Sequence, residues 1–149
     1  MDQNIQKILE IKNKKMQKAF NQNHIELLFL DNKQELLNYL DSLLKDDQTV
    51  GVGGSMTLFE TGVIDLIHQS DVLLHDRFLD RYQEGLSRDE IEDVFHQSLL
   101  ADVYLTSSNA IDRNGNLYNI DGNGNRVAAM IYGPKKVIVI VGMNKIFDD

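Results

Sequence analysis

Between an apolar run and a helical pattern, the sequence GVGGSMT at 51–57 places three glycines and two hydroxyl side chains. Glycines at such a junction let the backbone turn sharply and aim N–H groups outward. A helix start adds positive potential, so Gly53, Gly54 and Ser55 could receive an anion. The pattern is neither a Walker A loop, which needs Gly-Lys-Ser/Thr, nor the G-x-G-x-x-G dinucleotide fingerprint. A plain strand-to-helix turn with Ser55 as its N-cap is an equal reading.

A second cluster, Thr106, Ser107, Ser108 and Asn109, follows another apolar run. Hydroxyls and an amide at the carboxyl end of a strand suit an oxygen-rich ligand, and they also suit a capped turn. The third is NIDGNGNR at 119–126, where Asn123, Gly124 and Asn125 precede one cation. The Arg126 guanidinium could clamp a carboxylate or phosphate through paired hydrogen bonds. A salt bridge from Arg126 to Asp121 or Glu60 competes with that reading. Oxygen side chains alternate from Asp121 as in a calcium loop, but the Glu that closes an EF-hand is missing, and we assign no metal site. His24, His68, His75 and His96 show no spacing of metal ligands or of a catalytic dyad. Only His75, at a strand end, is placed to face a ligand crevice.

The elements that would position these clusters alternate along the chain. Ile5, Ile8, Leu9, Lys12, Met16 and Phe20 lie at helical intervals and predict a packing helix over 1–22. A strand is expected at 25–30, then a helix through Leu36, Leu40 and Leu44 capped by Asp31 or Asn32. The same order repeats: strand 49–52, helix 55–68, strand 71–74, helix 87–100, strand 102–106. Ser87 and Glu90 form an S-x-x-E capping box that fixes the start of the fourth helix. Asn114-Gly115 predicts a tight hairpin turn between Ile111 and Leu117. A short helix at 126–132 stops at Gly133-Pro134, and 136–141 reads as the last buried strand. The strands are continuous apolar runs, so helices should cover both faces of a mostly parallel sheet, giving a three-layer α/β fold in a single domain over 1–149.

Composition narrows the partners. A formal net charge of -8 repels phosphate backbones, so neither nucleic acid nor an anionic membrane is expected to bind. There is no cysteine, so the chain offers no thiolate for an iron–sulfur cluster, and any redox centre must sit on a partner. The amino-terminal segment lacks the apolar core of a signal peptide, and no apolar run approaches the roughly 20 residues that span a bilayer. A cytoplasmic location is expected.

The blocks GVGGSMTLFETG at 51–62, ADVYLTSSNAI at 101–111, NIDGNGNR at 119–126, GPKKV at 133–137 and GMNK at 142–145 occur in order over nearly the whole chain. In this series the sequence resembles the lactate utilization protein B/C (LUD domain) family. The resemblance implies a fold similar to ribose-phosphate isomerases and CoA transferases, in which the loop matching Gly53, Gly54, Ser55, Met56 and Thr57 contacts phosphate or a comparable anion. It also brings Lys145 into the ligand-binding set. Members of the family resemble components of an L-lactate oxidation system that works with iron–sulfur proteins. Two departures stand out: the sequence ends at Asp149, where members commonly continue with more helix, and it has no cysteine.

Three functions are compatible with these residues. The resemblance implies a component of lactate or related hydroxy-acid utilization that binds an anionic small molecule, with iron–sulfur oxidoreductase subunits or a second copy as partners. A stand-alone isomerase or acyl-CoA transferase-like enzyme would use Glu60 or Asp121 as base or nucleophile. A non-catalytic ligand-sensing or assembly module would use the same loops for binding alone.

Overall fold

The computed structural model describes residues 3–77 and 85–148. In chain order its elements are α1 (Gln3–Gln22), α2 (Lys33–Leu43), β1 (Thr49–Val52), α3 (Met56–Glu60), α4 (Val63–Gln69), β2 (Leu73–His75), α5 (Arg88–Leu99), β3 (Val103–Thr106), β4 (Ala110–Asp112), β5 (Leu117–Tyr118), α6 (Asn125–Ile131), β6 (Lys136–Val139), a 3-10 turn (Met143–Lys145) and β7 (Ile146–Phe147). They fall into two compact units, one formed by Asn32–Ser107 and Ile120–Val141, the other by Met1–Asp31, Ser108–Asn119 and Gly142–Asp149.

The first unit is built on a parallel sheet of order β2-β1-β3-β6. Side chains alternate across it. Val50, Leu74, Val103 and Leu105 point to one face, where Leu40 of α2, Leu58 of α3 and Val63, Ile64 and Ile67 of α4 close the apolar core. The opposite face carries Gly51 and Tyr104, with α5 packed directly over Gly51. Each such side chain, fully buried, is worth roughly 1.5–3 kcal/mol. The result is the expected three-layer α/β arrangement.

Local signals account for the helix starts. Asn32 caps α2 by accepting the Glu35 N–H at 3.0 Å. Ser87 and Glu90 make the reciprocal capping box of α5, and these hydrogen bonds from Ser87 hold the Glu90 carboxyl below its ordinary range. The helix expected over 55–68 is instead two helices, because Gly62 adopts φ 80° between α3 and α4. That left-handed conformation, easy for glycine, turns the chain so that both short helices lie on the core. The strand at 136–141 is shorter than expected and lies at the sheet edge, only partly buried. At the amino ends of the strands, Asp102 ties two neighbours together through three bonds: it accepts from the Thr49 N–H at 3.0 Å, the Thr49 hydroxyl at 2.8 Å and the Lys135 ammonium at 2.6 Å. The Lys135 bond first, then those from Thr49, hold its carboxyl far below the usual carboxylate range.

In the second unit β4 pairs antiparallel with β5 and parallel with β7. The hairpin turn at Asn114-Gly115 is organised by Asp112, fully buried, whose carboxylate accepts from the Asn114 and Asn116 amides and the Tyr118 hydroxyl, each at 2.9 Å. Burial pushes its pKa up, but these bonds and one from the Asn116 side chain prevail and keep it lowered. Of the predicted stripe on α1, Met16 and Phe20 are buried whereas Ile5, Ile8 and Leu9 are exposed. Residues 25–30 show alternating burial but join no ladder, correcting the strand expected there. The Leu27 carbonyl accepts from the Gln17 side chain instead.

Candidate functional site

An open cleft of about 170 Å³ lies in the first unit, lined among the described residues by Val52, Gly54, Asp76, Arg77, Val94, Phe95, Asp121, Gly122, Asn123, Asn125 and Arg126. Topology explains its position. From β1 the chain moves outward to β2, whereas from β3 it moves the other way to β6, so connections diverge between the adjacent strands β1 and β3. Diverging connections leave a crevice at the carboxyl ends of such strands, where α/β sheets take ligands. Gly54 follows β1, Asp76 and Arg77 follow β2, and the loop ahead of α6 supplies the remaining polar wall.

Arg126 is the anchored cation of this wall. Its guanidinium donates to the Ser107 carbonyl from Nη1 at 2.8 Å and to the Ile120 carbonyl from Nη2 at 3.1 Å. Nε lies 3.9 Å from Asp121 Oδ1, and the arginine side chain is 11% exposed. Thus the salt bridge to Asp121 and the place at the cleft coexist. Asp121 also accepts the Val127 N–H at 2.9 Å, which stitches the loop to the first turn of α6. In the same lining the Arg77 guanidinium lies over the Phe95 ring, 5.7 Å from its centroid. Asp76 is only 3% exposed, and the His68 Nε2 lies 3.2 Å from its Oδ2.

Gly51 and Gly53 owe their identity mainly to packing, whereas a Cβ on Gly54 would meet only the Arg77 guanidinium at 3.8 Å. A Cβ on Gly51 would come within 2.9 Å of Ser98 Cβ and of the Tyr104 ring, and one on Gly53 within 2.6 Å of Thr106 Oγ1 and 2.8 Å of the Tyr104 hydroxyl. The Gly53 N–H is engaged with the Leu105 carbonyl at 2.9 Å. This revises the expectation that its amide would point outward to an anion. Helix α3 has five residues, so its dipole is small, and among the described residues the positive groups of the cleft are Arg77 and Arg126. Tyr104, buried beneath Gly53, has its pKa pushed up to about 12 by burial and then by the Asp121 charge, with Arg126 opposing.

The sequence-derived set therefore divides. Gly54, Asp121, Asn123, Asn125 and Arg126 meet at the cleft. Ser55 caps α3 through the Thr57 N–H, and neither residue belongs to the lining. Thr106 and Ser107 are buried, Ser107 lending its carbonyl to Arg126. Gly124 takes a left-handed φ of 78° at the start of α6. Glu60 is exposed, stands outside the lining and offers its carbonyl to the Lys33 ammonium. Ser108, Asn109 and Lys145 belong to the second unit, where Lys145 Nζ donates to the Ser108 carbonyl at 3.1 Å. His75 lies within β2 in register with Gly51, and the residues just beyond it, Asp76 and Arg77, reach the cleft. Asp76, Arg77, Phe95 and His68 were not singled out from sequence. A polar pair just past a strand was the visible signal for the first two, while the meeting of His68 with Asp76 needed the fold. Among the described residues no group of three or more acidic or histidine side chains is arranged to hold a metal ion. Among them, too, no helix is long and apolar enough to cross a membrane.

Fold and cleft together define an α/β protein with a polar crevice at the carboxyl edge of a parallel sheet. The LUD domain family model matches residues 13–149, and the chain belongs to that family. No curated protein matches it.

Proposed function

We propose that the protein is a component of lactate or related small hydroxy-acid utilization, and that its cleft holds the carboxylate of the ligand against Arg126. One observation carries this reading: Gly54, Asn123, Asn125 and the anchored Arg126 line the same crevice beyond β1 and β3. Membership of the LUD domain family supports a role related to lactate utilization. A cleft of about 170 Å³ has room for a small carboxylic acid. Oxidation of the ligand would draw on a redox partner, an iron–sulfur oxidoreductase being the class that the resemblance implies. The enzyme reading keeps one of its two bases at the cleft, Asp121, and that carboxylate is engaged with Val127 and Arg126.

A thermal-shift screen tests the proposal, with L-lactate, phosphosugars, CoA thioesters and nucleotides as probes. A ligand at 100 times its Kd stabilises the fold by about 2.7 kcal/mol. L-lactate should raise Tm, and Arg126→Gln should abolish the response. Asn123→Ala, at an exposed position, should weaken it without loss of folding. No response to any hydroxy acid by the wild type would overturn the proposal.

A further inference from the structure

We infer that Asn123 is a self-modification site in the lining of the cleft: the Gly124 amide nitrogen displaces the Asn123 side-chain nitrogen as ammonia, and the aspartate and isoaspartate that follow set a carboxylate in the same lining as Arg126 and weaken anion binding. The effect on the ligand rests on the carboxylate reading above; the chemistry at Asn123 does not.

The chain holds two Asn-Gly pairs, Asn114-Gly115 and Asn123-Gly124. Asparagine ahead of glycine is prone to cyclise, because no Cβ shields the following nitrogen and glycine lets the backbone fold back on itself. The Gly124 nitrogen gives its proton to a base and bonds to Asn123 Cγ, while the Cγ–Nδ2 bond breaks and its nitrogen leaves as ammonia. Water then opens the cyclic imide at either carbonyl. One opening yields aspartate and the other isoaspartate, whose main chain runs through Cγ. Water is consumed, ammonia is released and nothing is oxidised or reduced.

The structure ranks the two pairs. Asn123 and Gly124 are both exposed, and Cβ atoms built on Gly122 and Gly124 would meet nothing within 4 Å. Gly124 takes φ 78° ahead of α6, and its carbonyl accepts the Ala128 N–H at 2.9 Å. Among the described residues, neither its own N–H nor the Asn123 side chain has a hydrogen-bond partner, so both reacting groups are at liberty to meet. At Asn114-Gly115 the same dipeptide is clamped. The Asn114 N–H donates to Asp112 Oδ1 at 2.9 Å and the Gly115 carbonyl accepts from Asn23 Nδ2 at 3.0 Å. Gly115 is buried, its Cβ position only 3.0 Å from the Ala19 carbonyl oxygen. Imide closure there must first open the hairpin, whereas the loop before α6 has room for it. The neighbouring Asp121-Gly122 pair is held as well, with Asp121 17% exposed and accepting the Val127 N–H at 2.9 Å.

Asn123 and Arg126 line the same crevice. The amide of Asn123 is neutral and its product is an anion, which repels a carboxylate ligand and competes with it for the guanidinium. In the isoaspartate the main chain also gains a methylene between residue 123 and the start of α6.

Peptide mass mapping of the folded full chain held in mildly alkaline buffer, beside the same chain in urea, reads both pairs at once. In urea the two should convert at similar rates, since the dipeptide is shared. In the folded chain Asn123 should convert at least about tenfold faster than Asn114, because freeing Asn114 requires local opening of the hairpin. Its product should appear first as the imide and then mainly as isoaspartate. Equal rates at the two sites in the folded chain, or faster conversion at Asn114, would overturn the inference. For the ligand, calorimetric titration with L-lactate should show Asn123→Asp binding at least about tenfold more weakly than Asn123→Ala, a gap that narrows as salt is raised. Equal affinities in those variants would overturn the effect on binding. A wild type that binds no lactate would overturn the carboxylate reading, and the rate ratio would still decide the modification site.

Discussion

Substituting Gly53 by alanine tests the reasoning about the floor of the cleft. The new Cβ would stand 2.6 Å from Thr106 Oγ1, 2.8 Å from the Tyr104 hydroxyl and 3.1 Å from Thr106 Cβ. Both neighbours are buried, Thr106 at 0% and Tyr104 at 1% exposure, so neither side chain can swing into solvent. Overpacking of this kind costs about 1–3 kcal/mol. Gly53 has no positive φ, so alanine adds no left-handed strain, and the lower entropy of its unfolded chain returns about 0.4–1 kcal/mol. The net expectation is a loss of about 1.5 kcal/mol, which for a chain of this size lowers Tm by roughly 3–6 °C. Urea unfolding should show a lower midpoint at unchanged slope. In a Thr106→Ala background, where the nearest atom is gone, the cost should fall by at least about 0.5 kcal/mol, because the two sites are in contact. Stability within about 0.5 kcal/mol of wild type, or strict additivity with Thr106→Ala, would refute the packing explanation.

Other perturbations probe the rest of the scaffold. Ser87→Ala removes the hydroxyl half of the capping box, leaving the backbone N–H of residue 87 to donate to Glu90, and should destabilise by about 1 kcal/mol in urea titrations. Asp112→Asn weakens the bonds that organise the hairpin and should cost about 2 kcal/mol at neutral pH, checked by the same assay. Asp102 and Asp112 both have lowered pKa values in the folded chain. Their contribution is therefore present above the ordinary aspartate value of about 3.9 and is lost as pH falls through the folded values. Midpoints measured between pH 6 and pH 2 should decline in the acid limb, more shallowly for Asp102→Asn and Asp112→Asn than for the wild type.

How much of this was legible follows from which forces are local. Caps and turns are local chemistry, so Asn32, Ser87 with Glu90, and Asn114-Gly115 marked their elements from sequence, and the apolar runs around Val50 and Val103 marked a covered sheet. Residues 25–30 have the same apolar character, but a strand exists only if a partner pairs with it, and no pattern within the segment encodes that. The break at Gly62 was masked by the apolar periodicity that continues across it through Leu58, Ile64 and Ile67. At the cleft, Gly54 and the loop from Asp121 to Arg126 stood out because turn formers and a lone cation cluster in sequence. His75 is the more conspicuous residue at that strand end, yet its place within β2 keeps it in the ladder, and Asp76 and Arg77 just beyond it reach the cleft. The contact of His68 with Asp76 depends on α4 returning beside the end of β2, which only tertiary structure supplies. Glu60, attractive for its position after the glycine loop, is carried to the exposed end of α3.

The central claim is that a small carboxylate sits beside Arg126 in the crevice beyond β1 and β3. Amide chemical-shift mapping during titration with L-lactate addresses it residue by residue. The account predicts saturable shifts concentrated at Gly54, Asp76, Gly122, Asn123 and Arg126, lost in Arg126→Gln. Shifts confined to α1 or to the hairpin around Asn114, or no shifts at millimolar lactate, would contradict it.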